Sequence, residues 1–429
     1  MGSTRAIRAA CCTGLASVLV SVSAPFAVAD QIRDDQWALK ELNAGAVWNV
    51  SRGSGVTVAV IDDGVNANHV DLKGNVLAGK DFMGDGSTVP KPGDDHGTAM
   101  AAIIAGHGHG VDEGVIGLAP EAKILPVREF GLDGPGFPVA IRYAVDNGAS
   151  VINVSQCLDS TDQSELDRTS EAVAYALAHD VLVIGGSGND GNSSKCYPAA
   201  SPGALGVGAL NDDGMIWKGS NSGSHLLLAA PGVDVVSVKG TGQGYRIGTG
   251  TSDAAAYVTA TAALLRAKFP DLTAGQIANR MVKTAVLPDA DKGLSTPDKK
   301  YGYGSIQPLA ALTKDIPAGS KYGPLSVPES LQAKKAGPQI GMSDEEQAAA
   351  DRKAMIAWAV VGVVGLVAIG LVVLLVVKLS RRKKNNVGGP GGRVRPADFE
   401  KQGQQPFPPQ QNPYHQQPTH TSGQWPPQQ

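Results

Sequence analysis

Between residues 56 and 312, short unbroken apolar runs alternate with helical patterns, and no other feature constrains the fold as tightly. The runs at 56–61, 124–127, 151–154, 181–185 and 205–207 are rich in Val, Ile and Leu. A strand with one wet face alternates apolar and polar residues. A run without that alternation needs cover on both faces, the condition of a parallel sheet between two helix layers. Helical spacing occupies 139–147, 164–179, 252–268 and 273–284, with Thr273 placed to cap the last of these. Strands and helices in alternation predict an α/β fold, a doubly wound and mostly parallel sheet with helices on both faces. There is no internal repeat.

The 429 residues leave room for more than this unit, and the flanks read differently. Arg5 and Arg8 precede an apolar stretch, and Ala27-Val28-Ala29 forms a small-residue cleavage site, so residues 1–29 read as a signal peptide. Cys11 and Cys12 make a poor lipoprotein signal, because Arg8 stands where an apolar run is needed. Residues 30–315 hold the α/β domain. Residues 316–355 turn Pro-, Gly-, Lys- and Ser-rich and read as a linker. Residues 356–377 carry no charge and are long enough for one transmembrane helix. Lys378, Arg381, Arg382, Lys383 and Lys384 follow, and the positive-inside rule puts that side in the cytoplasm. The tail, 378–429, is basic and then Gln/Pro-rich, with ten Gln and seven Pro in its last 28 residues, a composition that predicts disorder.

The net charge of −3 is therefore an average over unlike regions: +2 for residues 1–29, −11 for 30–377 and +6 for 378–429. An acidic central region excludes a nucleic-acid partner, which needs a basic face. With the domain outside the cell membrane, Cys157 and Cys196 stand on the oxidising side and can form one pairing. A Cys157–Cys196 disulfide is expected, with two buried free thiols as the alternative.

Three short motifs carry chemistry. The first apolar run ends in Ile61-Asp62-Asp63-Gly64, which places Asp62 at the carboxyl end of a strand, where α/β sheets collect functional groups. His96-Gly97-Thr98 opens a helix of small residues. Gly250-Thr251-Ser252 opens an apolar helix with a hydroxyl at its first turn, beside free backbone N–H groups. Each alone reads as a cap or a turn. Together, in the chain order Asp…His…Ser, they supply a nucleophile, a base and an orienting carboxylate. His69, His107, His109 and His225 read as structural. The Gly-His-Gly-His-Gly stretch at 106–110 shows no matched carboxylate or Cys partner for a metal.

On these segments, and on Gly185-Gly186-Ser187-Gly188-Asn189, the chain resembles the subtilase family of serine proteases over residues 36–312. The resemblance implies an endopeptidase with Asp62, His96 and Ser252 as its triad and Asn189 donating to the oxyanion hole. It implies a peptide or protein substrate held between two walls, Ser155-Gln156-Cys157 and Gly134-Pro135-Gly136. A disulfide at Cys157 would tie the first wall to the segment after Asn189. No cofactor is required. Relatives often bind structural Ca²⁺, but no ligand loop of diagnostic spacing is present.

Two residues depart from the family pattern. Asp253 stands where most subtilases carry Met or another apolar residue, and Ala256 stands where they carry Pro. A carboxylate beside the nucleophile is expected to raise the pKa of His96. Only six residues, 30–35, precede the pattern at Gln36-Trp37-Ala38-Leu39 after the expected cleavage site, which implies folding without the inhibitory pro-domain of many secreted relatives. The layout of leader, protease, linker, membrane helix and basic tail is similar to the mycosins, membrane-anchored subtilases of type VII secretion. That likeness implies a secretion membrane complex as partner and a single-pass protein with its protease domain extracytoplasmic. A weakly active scaffold that stabilises such a complex is the alternative.

Overall fold

The computed structural model describes residues 27–332 apart from 131–134 and 159–161. The expected membrane helix and tail, the linker beyond residue 332, Gly134, and all but the last three residues of the leader lie outside the described residues. Among the described residues no helix is long and apolar enough to cross a membrane.

The strands in chain order are β1 (Thr57–Asp62), β2 (Lys80–Asp81), β3 (His107–His109), β4 (Glu113–Ile116), β5 (Lys123–Arg128), β6 (Val151–Val154), β7 (Leu182–Gly186), β8 (Leu205–Leu210), β9 (Leu226–Pro231), β10 (Val235–Val238) and β11 (Tyr245–Gly248). Seven of them form one parallel sheet in the order β2-β5-β1-β6-β7-β8-β9. All five runs expected as strands are in it. The sheet also takes in β2, too short to read from periodicity, and β9. Two hairpins, β3–β4 and β10–β11, complete the strands.

The helices in chain order are α1 (Ala27–Asp34), α2 (Trp37–Glu41), α3 (Ala44–Trp48), α4 (His96–Ala105), α5 (Phe137–Asp146), α6 (Gln163–Ala178), α7 (Thr251–Lys268), α8 (Ala274–Thr284), α9 (Pro308–Thr313) and α10 (Glu329–Gln332). They cover both faces of the sheet. On β1, Val58 and Val60 pack into the core that holds α4 and α7, while Ala59 and Ile61 pack into the one that holds α5 and α6. Both faces are apolar, which is why the strands read as continuous runs. α7 is buried from Thr251 to Arg266. Its first turns, Ala254-Ala255-Ala256, are small enough to lie close against the sheet. Thr273 caps α8 as expected, in a reciprocal arrangement with Gln276.

The strand order reverses around β1. The chain leaves β1 through α4 to β5 on one side, then passes through α5 to β6 on the other. Such a switch point opens a crevice at the carboxyl ends of the strands. Asp62, the last residue of β1, lies at its edge. The stretch read as linker packs on the domain as far as Gln332: Leu325 and Leu331 are buried, and the Arg280 guanidinium donates to the carbonyls of Lys314 and Ile316.

Candidate active site

β1 delivers Asp62 fully buried, and α4 begins at His96 directly opposite it. The two can meet because Gly97 lets the helix start touch the strand end. A Cβ at residue 97 would lie 2.4 Å from the Gly64 carbonyl oxygen and 2.8 Å from the Asp62 Cβ. The next carboxylate, Asp63, fixes the helix start. It accepts from the backbone N–H groups of His96 at 3.1 Å and Gly97 at 2.8 Å, two donors that no residue inside the helix can satisfy. His96 Nδ1 then lies 2.9 Å from both Asp62 oxygens. Asp62 Oδ1 also accepts from the Asp63 backbone N–H at 2.8 Å and from Gln156 Nε2 at 2.9 Å.

Ser252 sits in the first turn of α7 and is 7% exposed. Its hydroxyl donates to the Ser155 carbonyl at 2.9 Å. The Ser155 hydroxyl donates in return to the Ser252 carbonyl at 3.1 Å, and takes a bond from buried Asn153. The end of β6 and the start of α7 are thus tied in both directions. A turn about χ1 is what would bring Ser252 Oγ to the ring of His96.

Asn189 follows β7 on the other side of Ser252. Its Oδ1 accepts from both the backbone N–H and the hydroxyl of Thr251, each at 2.9 Å. With the oxygen so engaged, the amide N–H₂ is the part of Asn189 left to donate, and Asn189 lines the cleft. Gly186 makes this approach possible, since a Cβ there would lie 2.6 Å from Thr251 Oγ1.

These groups share one cleft of about 630 Å³, lined by His96, Ser155, Gln156, Asn189 and Ser252, with the Cys157–Cys196 disulfide along one wall. The disulfide, with Cα atoms 4.8 Å apart, joins the loop after β6 to the loop after β7. Lys195 and Asp190 also line the cleft, and nothing in their local sequence marks them. Gly136, expected at the opposite wall, is the N-cap of α5 with φ 83°, and its N–H donates to Glu129. Gln156, expected in a substrate wall, does line the cleft, but its amide is spent on Asp62. The Gly-His-Gly-His-Gly histidines also require a correction. His109 does have a carboxylate partner, Asp71 at 2.5 Å, which the β3–β4 hairpin reaches across 38 residues. Among the described residues no group of three or more His, Cys, Asp or Glu is arranged to hold a metal ion.

The site is electrostatically loaded. Burial works against a charged His96, but the Asp62 carboxylate outweighs it by charge and hydrogen bond. Asp253 and Asp63 add to that, so His96 is raised to about 9. Burial pushes the Asp253 carboxyl up to about 6 against the pull of His96 and Arg246. Asp63 is also raised to about 6, by burial and the charge of Asp62. An imidazole between a buried carboxylate and a hydroxyl can take the hydroxyl proton once it is itself neutral, and here that condition falls on the alkaline side.

The family model described as "Peptidase_S8: Subtilase family" matches residues 53–304. A thermophilic serine proteinase of Bacillus sp. (strain AK1) is 36% identical over 271 residues, 62% of this chain and 64% of that protein, just under two thirds of its length. Mycosin-1 of Mycobacterium tuberculosis (strain ATCC 25618 / H37Rv) is 31% identical over 405 residues, 81% of this chain and 86% of that protein. The crystal structure of MycP1 from the ESX-1 type VII secretion system superposes with a TM-score of 0.58 at 30% identity, covering 67% of this chain and 88% of that one. Fold, motifs and site geometry agree with these likenesses: the chain belongs to the subtilase family of serine proteases.

Proposed function

We propose that the chain is a membrane-anchored, extracytoplasmic endopeptidase of type VII secretion that cleaves peptide bonds with Ser252, His96 and Asp62. The observation that carries the reading is the 2.9 Å Asp62–His96 contact facing Ser252 and Asn189 across one cleft. Ser252 Oγ attacks the scissile carbonyl carbon and its proton passes to His96 Nε2. Asp62 holds the ring by Nδ1 and stabilises the imidazolium. The carbonyl oxygen, now an oxyanion, accepts from the Asn189 amide and the Ser252 backbone N–H. The C–N bond breaks as His96 returns the proton to the leaving amine. Water then repeats the cycle on the acyl-enzyme.

The secretion role is supported by the match to mycosin-1, which runs over 81% of this chain. The anchor is supported by the uncharged stretch 356–377 and its basic flank. The Cys157–Cys196 disulfide supports an oxidising, extracytoplasmic setting for the domain.

The test is labelling of the purified full chain by a fluorophosphonate, which reports an activated serine. Labelling of the wild type and none of Ser252→Ala is expected, and no difference between the two rejects the enzymatic reading. One observation favours a second reading, a weakly active scaffold: the Ser252 hydroxyl rests on the Ser155 carbonyl, beside a buried carboxylate. Labelling that fails to rise between pH 7 and 10 would select it.

A further inference from the structure

Gln156 has an unexpected place. β6 lies beside β1 with Val154 level with Ile61, so the residues after Val154 run past the end of β1, where Asp62 stands. The Ser155 side chain turns toward α7. The Gln156 side chain reaches Asp62, and its Nε2 donates to Oδ1 at 2.9 Å. Cys157 follows at once, crosslinked to Cys196, whose Sγ lies 3.9 Å from the Gln156 carbonyl oxygen. The Leu158 N–H then donates to the Tyr197 carbonyl. Residue 156 is therefore held from both sides, by Ser155 against Ser252 and by the crosslink.

We propose that Gln156 is a positioning residue for Asp62, held against it by the Cys157–Cys196 disulfide, so that the carboxylate–imidazole pair depends on that crosslink. The proposal rests on the triad reading above and deepens it. Asp62 is fully buried, so each lone pair needs a donor or carries a cost. Oδ1 meets the Asp63 N–H, Gln156 and His96, and Oδ2 meets His96. Without Gln156, the whole carboxylate is left with the Asp63 N–H and His96. The carboxylate can then rotate, and its charge favours the imidazolium more strongly. The charged groups facing His96 are Asp62 at the end of β1, Asp63 just after it, and Asp253 from α7. Arg246 from β11 pulls on Asp253 and pairs with Asp95, which precedes α4.

The experiment follows the rate of fluorophosphonate inactivation against pH on the purified full chain. In that reaction the Ser252 Oγ–P bond forms, the P–F bond breaks, fluoride leaves, and His96 takes the hydroxyl proton. No knowledge of the natural substrate is needed. Gln156→Leu is expected to slow inactivation at neutral pH by about tenfold to a hundredfold, the range of a hydrogen bond to a charged acceptor. Its acid-side midpoint should move to higher pH. Gln156→Glu, nearly the same shape, should do worse, because it sets one carboxylate against another. A residue that only filled space or lined the wall would tolerate Glu and leave the midpoint where it was.

Reduction of the disulfide should shift the midpoint in the same direction in the wild type, and add nothing in Gln156→Leu. A wild-type profile in both Gln156 variants overturns the proposal while the triad reading stands. A shift in Gln156→Leu with none on reduction overturns the part given to the crosslink. No labelling of the wild type overturns the triad reading itself, and with it this one.

Discussion

Two helices begin at the proposed catalytic residues, α4 at His96 and α7 at Thr251-Ser252. Both are built from small apolar side chains and both are buried. Each start has an aspartate close by, and burial pushes both carboxyls up to about 6. The difference lies in what those carboxylates do. Asp63 stands just past the end of β1, opposite α4, and its two oxygens accept the first N–H groups of that helix. Asp253 stands in α7 itself, is 3% exposed, and has an Oδ1 without a hydrogen-bond partner. One buried charge is tied into the structure. The other acts through space, on His96. A carboxylate next to a catalytic residue is thus not one kind of feature. Its hydrogen bonds decide whether it holds the fold or tunes the chemistry.

The largest expected effect comes from fit. A Cβ at residue 97 would meet backbone, the Gly64 carbonyl oxygen at 2.4 Å, whereas one at residue 250 would first meet the far end of the Asn189 amide at 3.3 Å. Gly97→Ala should cost about 3 kcal/mol in urea unfolding, at the upper end for overpacking. It should also cut kcat/KM on a peptide substrate about a hundredfold, since a shift of roughly 1 Å in a reacting group is enough for that. Gly250→Ala should leave unfolding nearly unchanged and act through Asn189 on kcat. Equal losses of stability at both positions would mean that the two helix starts are fitted alike.

A smaller effect is expected from the carboxylates. Asp63→Ala orphans two helix N–H groups in a buried place, at a cost of about 2 kcal/mol. Asp253→Ala orphans none and removes an unpartnered buried oxygen, so the unfolding midpoint at pH 8 should not fall. A marked loss in Asp253→Ala would reveal a structural duty for that side chain and close the gap between the two aspartates.

The parts of the site that could be read from sequence are those announced locally. Asp62 ends an apolar run at a Gly turn, His96 and Ser252 open apolar helices after turn residues, and periodicity placed all five expected strands in the sheet. The features that escaped depend on contacts between distant segments. The Gln156–Asp62 bond spans 94 residues, and the Asp71–His109 pair spans 38. Nothing within a window of ten residues encodes either one. β2 is two residues long, and the hairpin strands have three or four residues each, so neither carries a period. Gly136 has a conformational duty, φ 83° at the start of α5, that its neighbours in sequence do not announce. Residues 316–332 look like a linker by composition. They pack because Arg280 and the surface around α8 offer them partners, which composition cannot show.

The smallest effect is the one that isolates Asp253. His96 must be neutral to accept the Ser252 proton, so activity rises as pH climbs through its pKa, raised to about 9. Asp253 is ionised above about 6, so across that rise it carries a negative charge that favours the imidazolium. Asp253→Asn removes the charge and keeps the shape. The acid limb of kcat/KM should then move toward neutral pH and raise the rate at pH 7 by roughly threefold, with the plateau above pH 10 unchanged. Asp63→Asn should move the same limb as well, but with a loss of stability, because the N–H groups of His96 and Gly97 lose an anionic acceptor. Gln156→Leu should move it the opposite way. If Asp253→Asn left the limb in place, its charge would have to be neutralised on the spot by Arg246. Arg246→Gln alone would then move the limb to higher pH, and adding Asp253→Asn to it would move the limb back.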